Sequence, residues 1–504
     1  MSVDYIIIQA GGKGTRLKQL TQNKPKGIVP VNNIPIIFNL FNRYPDKHFI
    51  VIGDYKHEVL EEYLETFCKV KYITVKAEGI GTCAGLRSAL NYIPEKTPFA
   101  IVWSDLILGN EVDIDSCDDG NYIGISKDFE CRWSFNDGIF QEIASKEHGV
   151  AGLFVFRDKQ CIKTVPQEGE FVRWLGQTEL TFSEFSLAGT KEIGTLLALA
   201  ENSQTNYRCR AFNSLEIRDD VIIKRPVDDQ GRRLAVRELN WYREVQKYKF
   251  EQIPQIYTLE PLTMQRIDGE NIFRTNLSIA EKRTVIDRLV TSLERLHTLA
   301  SAPADMFSIL DAYYYKTIKR IESVRDLIPF AADEYIRING KNCRNPYFYK
   351  AQFRQRVKEL LCDCQEFSLI HGDCTFSNTM VDSDLNIIFL DPRGYFGFSE
   401  LYGDVYYDWA KVYYSVYGDY DQFNNKNFTL RITDQEVRLD IATNGWREVA
   451  DYFLDRITNC DAVKIRFLHA IVWLSLTTYT WEDYDSICGA FYNGTYLLEE
   501  FSIL

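Results

Sequence analysis

The chain has 504 residues, of which 45% are hydrophobic and 26% charged, and its formal net charge is −13. That length predicts roughly two to four domains with separate cores. The acidic balance excludes binding of nucleic acid over the whole surface, because a phosphate backbone needs a basic face. Twelve cysteines and six histidines are dispersed. The one close cysteine pair, Cys362 and Cys364, has no second pair to make a zinc pattern, so reduced thiols in a cytoplasmic compartment are expected. The first residues lead almost directly into an apolar strand, and no apolar run approaches the ~18 residues of a membrane span. No membrane insertion is expected, and nothing in the sequence excludes an oligomer.

Residues 6–31 read "IIIQAGGKGTRLKQLTQNKPKGIVPV". An apolar strand runs through Ala10 into Gly11, Gly12, Gly14 and Thr15. Glycines without a Cβ let backbone N–H groups approach a ligand and form an anion nest. Arg16 can fork onto a phosphate, and Lys26 can supply a point charge. The glycines alone would also fit a solvated turn, and their spacing lacks the Walker lysine and the dinucleotide fingerprint. The whole string, G-G-x-G-T-R-L followed by Pro25-Lys26 and Pro30-Val31, resembles the signature of sugar-phosphate and phosphocholine-type nucleotidyltransferases. The resemblance implies a Rossmann-like, GT-A-like α/β domain. Its loop, Ala10, Gly11, Gly12, Gly14 and Thr15, would wrap an NTP, with Lys26 and Arg16 on the phosphates being joined.

Later segments fit the same family. "AEGIGTCAGLRSAL" places Gly81 and Thr82 ahead of an amphipathic helix, and the resemblance turns that loop toward the nucleobase. "FAIVWSDLIL" is a buried-type strand followed by Asp105, where an α/β sheet holds a ligand or metal; a turn or cap aspartate is the bland alternative. "GTKEIGTLLALAE" resembles the family's acidic-x-G-T element, which makes Glu192 the second Mg²⁺ ligand although the family usually has Asp there. Strand and helix patterns alternate through residues 1–200, which predicts a mostly parallel sheet in a first domain expected over residues 1–205. "VAGLFVF" reads as one more strand. "FNSLEIRDDVIIKRPV" then reads as a hairpin that turns near Asp219-Asp220. From about Ala280 the pattern predicts a mainly helical chain.

The second signature, "LIHGDCTFSNTMVDSDLNIIFLDPRG", starts at Leu369. Asp373, Asn378 and Asp391 around a strand pair make a plausible base and Mg²⁺ site. The pattern H-G-D-x-x-x-x-N, an apolar strand, then D-P resembles the aminoglycoside phosphotransferase and choline kinase superfamily. It implies a bilobal, protein-kinase-like α+β domain over residues 206–504. By that resemblance Asp373 takes the proton of a substrate hydroxyl, and Asn378 and Asp391 bind Mg²⁺ on ATP. Lys224 touches the phosphates, with Glu238 or Glu244 as its partner. Met264 to Arg266 form a hinge whose backbone reads adenine, and His371 organises the catalytic loop. Arg393, Asp404 and Asp408 are expected at the acceptor substrate, where the tyrosines of residues 395–417 would either cage an ammonium group or pack the core.

Together the two signatures imply a bifunctional enzyme. A kinase would phosphorylate a small alcohol, polyol or sugar with ATP. A nucleotidyltransferase would then couple the product to a second NTP, with CTP slightly preferred, for surface polysaccharide (capsule) or lipid modification. The alternative is that one domain is catalytic and the other senses nucleotide.

Overall fold

The run Ile6–Ile8 is fully buried, as expected of a strand covered on both faces. The computed structural model describes residues 2–202 and 213–501. The chain divides into two units, Met1–Asn206 with Glu482–Asp485, and Tyr207–Trp481 with Ser486–Leu504. The predicted boundary between residues 205 and 206 lies outside the described residues.

In the first unit, β1 (Tyr5–Gln9) pairs in parallel with β2 (His48–Gly53). The α1 helix (His57–Phe67) connects β2 to β3 (Lys71–Lys76), which is also parallel. After a short α2 (Leu86–Leu90), β4 (Phe99–Trp103) returns to the other side of β1. A two-residue β5 (Leu106–Ile107) follows, then β6 (Tyr122–Ser126), β7 (Ser134–Asn136), β8 (Ile139–Gln141), β9 (Gly149–Phe156), β10 (Ser183–Ser186) and β11 (Lys191–Glu192).

These strands form a nine-stranded sheet of order β8-β7-β9-β4-β1-β2-β3, with β6 on β9 and β10 on β6, while β11 pairs with β5. The predicted parallel character holds for β4-β1-β2-β3. It fails at β9, which runs antiparallel to β4, β6 and β7. Every residue of β9 is buried, and a continuously apolar strand carries no signal of its direction. Gly152 (φ +90°) lets β9 pass over Trp103, whose ring a Cβ there would overlap.

The second unit opens with an antiparallel sheet. The hairpin β12 (Asn213–Ile217) and β13 (Val221–Pro226) turns at Asp219-Asp220 as predicted. The α3 helix (Asp229–Lys247) starts at an Asp228 cap, and β14 (Ile256–Leu259) and β15 (Leu262–Gln265) complete the order β12-β13-β15-β14. Helices α4 (Ile279–Leu299) and α5 (Lys316–Ser323) follow. Then come β16 (Tyr335–Ile338), β17 (Lys341–Arg344), β18 (Glu366–Leu369), β19 (Thr379–Val381) and β20 (Ile387–Phe389). The chain continues through α6 (Val405–Val416), β21 (Phe428–Ile432), β22 (Val437–Ile441) and α7 (Ala462–Leu476).

The chain after Ala280 is mainly helical as expected, and it also carries a four-stranded sheet, β17-β16-β22-β21, that the pattern did not announce. One core built on Trp241, Leu289, Phe389, Trp409 and Phe453 joins α3, α4, β20 and α6. The described cysteines form no disulfide with one another. No helix among the described residues is long and apolar enough to cross a membrane.

Candidate active sites

In the first unit, the glycine loop follows β1 at the C-terminal end of the parallel strands. Gly11 must be glycine, because a Cβ there would lie 2.8 Å from the Asp54 Cβ. A Cβ at Gly12 would meet nothing within 4 Å, so that backbone faces open space, as a phosphate loop requires. Gly14 (φ +63°) turns the chain into the helical turn that starts at Thr15. A cavity of about 500 Å³ opens beside the loop, and Gly11, Gly12, Arg16, Lys26, Gly81, Thr82, Asp105 and Glu192 all line it. Ala10, Gly14 and Thr15 do not. Ala10 is fully buried, with its N–H on Ile52 O at 2.8 Å. The Ala10 amide is spent within the sheet, which corrects the assignment of its backbone to nucleotide, while Gly14 shapes the loop. Gln9 and Trp103, at the ends of β1 and β4, and Arg132 line the cavity too, and the sequence reading singled out none of them.

The two acidic positions meet because β11 pairs with β5, which puts Glu192 opposite Leu106, and Ile193 N donates to Asp105 O at 2.8 Å. Lys26 Nζ contacts Asp105 Oδ2, and Arg16 donates to Glu192 Oε1 at 3.1 Å. Burial and then the charge of Asp105 push Glu192 above the ordinary carboxylate range, with Arg16 and Lys26 opposing. Asp105 Oδ1 is buried with no hydrogen-bond partner. An orphaned carboxylate oxygen next to a second carboxylate fits a hard cation that takes oxygen ligands. No group of three or more His, Cys, Asp or Glu that could hold a metal occurs among the described residues, so the rest of any coordination shell would come from substrate phosphate and water.

In the second unit, Lys224 on β13 bonds both oxygens of Glu238 on α3, at 2.9 and 2.8 Å, and Asp391 Oδ1 at 2.8 Å. Glu244 instead pairs with Lys247 at 2.6 Å. Burial pushes Glu238 up to about 7, against the pull of Lys224. Burial opposes the Lys224 charge, but Asp391 and Glu238 raise the group above its ordinary value. Asp391 stands at φ +53° with its side chain 55% exposed.

The catalytic loop after β18 is held from within. His371 donates through Nε2 to Leu390 O at 3.0 Å, and its Nδ1 accepts from Asp373 N at 3.2 Å. Asn378 Nδ2 bonds Asp373 Oδ2 at 3.0 Å, and Lys411 Nζ reaches Asp373 Oδ1 at 2.8 Å. Leu390 N donates to Asn378 O at 2.9 Å, so Asn378, just before β19, and Asp391, just after β20, lie at neighbouring strand ends. An amide and an accessible carboxylate side by side fit a cation carried on nucleotide phosphates.

Three assignments are corrected. Asp408 is 0% exposed and accepts from His371 N at 2.9 Å, Gly372 N at 2.7 Å and His297 Nε2 at 3.0 Å. It clamps the loop and does not touch substrate. Burial opposes its ionisation, but the His297 hydrogen bond and charge hold it below the ordinary range. Asp404 caps α6 through Tyr406 N and accepts from Tyr313 Oη at 2.9 Å, also buried. Met264 lies buried within β15 between β13 and β14, and the amides of Gln265 and Arg266 already bond Gln255 O and Asp220 O. Residues 264–266 therefore offer no free backbone N–H at those two positions for adenine. Arg393, by contrast, does face the loop. Its Nη2 donates to Tyr395 Oη at 2.7 Å, its Nη1 to Tyr407 Oη, and its backbone N to His371 O.

Two family models match this chain: Nucleotidyl transferase over residues 5–114 and Phosphotransferase enzyme family over residues 199–449. Bifunctional protein GlmU from Methanococcus maripaludis is 31% identical over 110 residues, covering 21% of this chain and 26% of the relative. D-glycero-alpha-D-manno-heptose 1-phosphate guanylyltransferase from Campylobacter jejuni is 33% identical over 93 residues, covering 17% and 42%. The chain thus spans less than half the length of either relative. Among solved structures, HddC from Yersinia pseudotuberculosis is 21% identical with a TM-score of 0.34, over 39% of this chain and 97% of that one. CTP:phosphocholine cytidylyltransferase (LicC) from Streptococcus pneumoniae is 16% identical with a TM-score of 0.31, over 40% and 97%.

Proposed function

From a chain that carries a nucleotidyl transferase domain at residues 5–114 and a domain of the phosphotransferase enzyme family at residues 199–449, we infer a bifunctional enzyme that works in two steps. The second unit phosphorylates a small alcohol, polyol or sugar with ATP. The first unit joins the product to an NTP, and the nucleoside-diphosphate compound serves surface polysaccharide or lipid modification. CTP is the slightly preferred NTP, on the ground that the first unit is compact. The observation that carries the reading is that each unit brings its own phosphate-handling cation beside its own carboxylate, Lys26 at Asp105 and Lys224 at Asp391. The same pairs weigh against a unit kept only to sense nucleotide.

In the kinase step the acceptor hydroxyl oxygen attacks the γ-phosphorus, ADP leaves, and the hydroxyl proton passes to the Asp373 carboxylate. Asn378 and Lys411 orient that carboxylate, while Glu238 holds Lys224 toward the phosphates. In the transferase step an oxygen of the new phosphate attacks the α-phosphorus of the NTP, and the bond to pyrophosphate breaks. The Gly11–Gly12 amides, Arg16 and Lys26 then meet the charge that gathers on the phosphoryl oxygens. Mg²⁺, which Asp105 with Glu192 and Asn378 with Asp391 would hold, neutralises part of that charge when bound.

A crossed pair of variants tests the reading. Asp105→Asn should lower pyrophosphate release by at least about a hundredfold, and leave ATP-dependent phosphorylation within about twofold. Asp373→Asn should do the reverse, lowering phosphorylation by about 10²–10⁴-fold while converting supplied phosphorylated acceptor normally. Loss of both activities in either folded variant would contradict two independent sites.

A further inference from the structure

A cluster of cations beside the catalytic loop is left over once ATP and Mg²⁺ have their ligands. Arg393 bonds the Tyr407 hydroxyl, and its guanidinium lies 4.3 Å from the Tyr395 ring centre. Lys411 Nζ lies 5.9 Å and Lys316 Nζ 5.8 Å from the Tyr407 ring centre. Three positive side chains therefore converge on one tyrosine. Lys411 ties the cluster to Asp373 at 2.8 Å. Arg320 stands nearby, over Tyr479 at 4.4 Å, with its Nη1 on Ser475 O at 2.9 Å.

Lys316, at the start of α5, makes no hydrogen bond or ion pair among the described residues. The charges of Arg393, Arg320 and Lys411 act against its ionisation, and the Asp311 carboxylate opposes them. Burial first, and then those three cations, hold Lys316 well below the ordinary lysine range. Like charges gathered in a half-buried place repel one another, and an arriving anion removes that repulsion. An ammonium group would add to it. The tyrosine faces of the expected cage already carry this chain's own cations, with the Arg237 guanidinium 4.0 Å from the Tyr395 ring centre.

We propose that Lys316, Arg393 and Lys411 form an oxyanion subsite, so that the acceptor phosphorylated by the second unit is a hydroxy compound that already bears a carboxylate or phosphate group. The proposal rests on reading Asp373 as the base of phosphoryl transfer. The subsite would hold the anionic end of the acceptor while a hydroxyl lies at Asp373.

Equilibrium dialysis of radiolabelled sulfate tests the subsite without turnover. The full-length chain is first saturated with a non-hydrolysable ATP analogue and Mg²⁺, so that the nucleotide sites are filled. Lys316→Met should weaken sulfate binding by about tenfold, while Lys316→Arg keeps most of it. Equal affinity in the wild type and Lys316→Met overturns the proposal. Kinase assays then compare matched acceptors: glycerol, glycerate and glycerol phosphate; glucose, glucuronate and glucose 6-phosphate; choline and ethanolamine. Turnover of acids or phosphates, with a KM raised by about tenfold in Lys316→Met and an unchanged KM for ATP, supports the subsite. Turnover confined to neutral or ammonium compounds overturns it, and if none is turned over the dialysis decides. Asp373→Asn should lower turnover by about 10²–10⁴-fold and keep sulfate affinity. Turnover within about twofold of wild type in that variant defeats the phosphotransfer reading and leaves the sulfate result standing.

Discussion

Lys224 shows how a single residue's partner is decided by packing. Glu238 faces inward from α3 and is 6% exposed, whereas Glu244 pairs with Lys247. Burial places the Glu238 carboxyl up at about 7, so its charge, and its hold on Lys224, grow as pH rises through neutrality. The KM for ATP in the kinase reaction should therefore fall between about pH 6 and pH 8 in the wild type. In Glu238→Gln it should be about tenfold higher and nearly flat with pH, while Glu244→Gln stays within about twofold of wild type. Steady-state kinetics across that range checks this, and matching effects of the two substitutions would contradict it. The glycine loop, Lys26, Asp105, Asp373 and Asn378 were legible in the sequence because short motifs fix their local geometry. Asp408 was not. Its partners, the amides of His371 and Gly372, lie 37 and 36 positions earlier, and nothing in the neighbouring aromatic run announces a clamp.

At the scale of elements, strands that alternate with helices were readable, and a strand's direction was not. The hairpin β16–β17 was missed although "YIRINGKNCR" contains its signal. Asn339 and Gly340 both take positive φ, 50° and 81°, as a two-residue hairpin turn requires; the long helical stretches on either side obscured it. The α7 helix carries the one element-scale prediction. All of Phe467–Leu476 is buried, and within that stretch His469 accepts from Trp473 Nε1 at 2.9 Å. Burial, with Arg447 adding to it, holds His469 down to about 3. The unfolded chain takes up this proton near the ordinary histidine value, and the folded chain does not. The unfolded state thus binds more protons between those two values, and stability falls as pH drops below about 6.5. His469→Gln keeps an acceptor for Trp473 and removes the titration. Denaturant unfolding of the full chain should show a wild-type loss, relative to that variant, on the order of 3 kcal/mol by about pH 4. Parallel pH profiles for the two proteins would refute the buried neutral imidazole.

At the scale of the whole molecule, two signatures that share no residue lie on one chain, and each unit assembles its own set of cations and carboxylates. Their order of action is the central claim, and the path of one phosphorus atom tests it most directly. The wild-type chain is given ATP labelled in its γ-phosphate, an unlabelled second NTP, Mg²⁺ and the acceptors named above. The account predicts that the label enters the nucleoside-diphosphate product at the phosphate bonded to the acceptor, and that pyrophosphate stays unlabelled. Asp373→Asn should give neither product nor pyrophosphate from unphosphorylated acceptor, and unlabelled product with pyrophosphate once unlabelled phosphorylated acceptor is supplied. A nucleotide-linked product formed without label, or formed by Asp373→Asn from unphosphorylated acceptor, would contradict the kinase-then-transferase order.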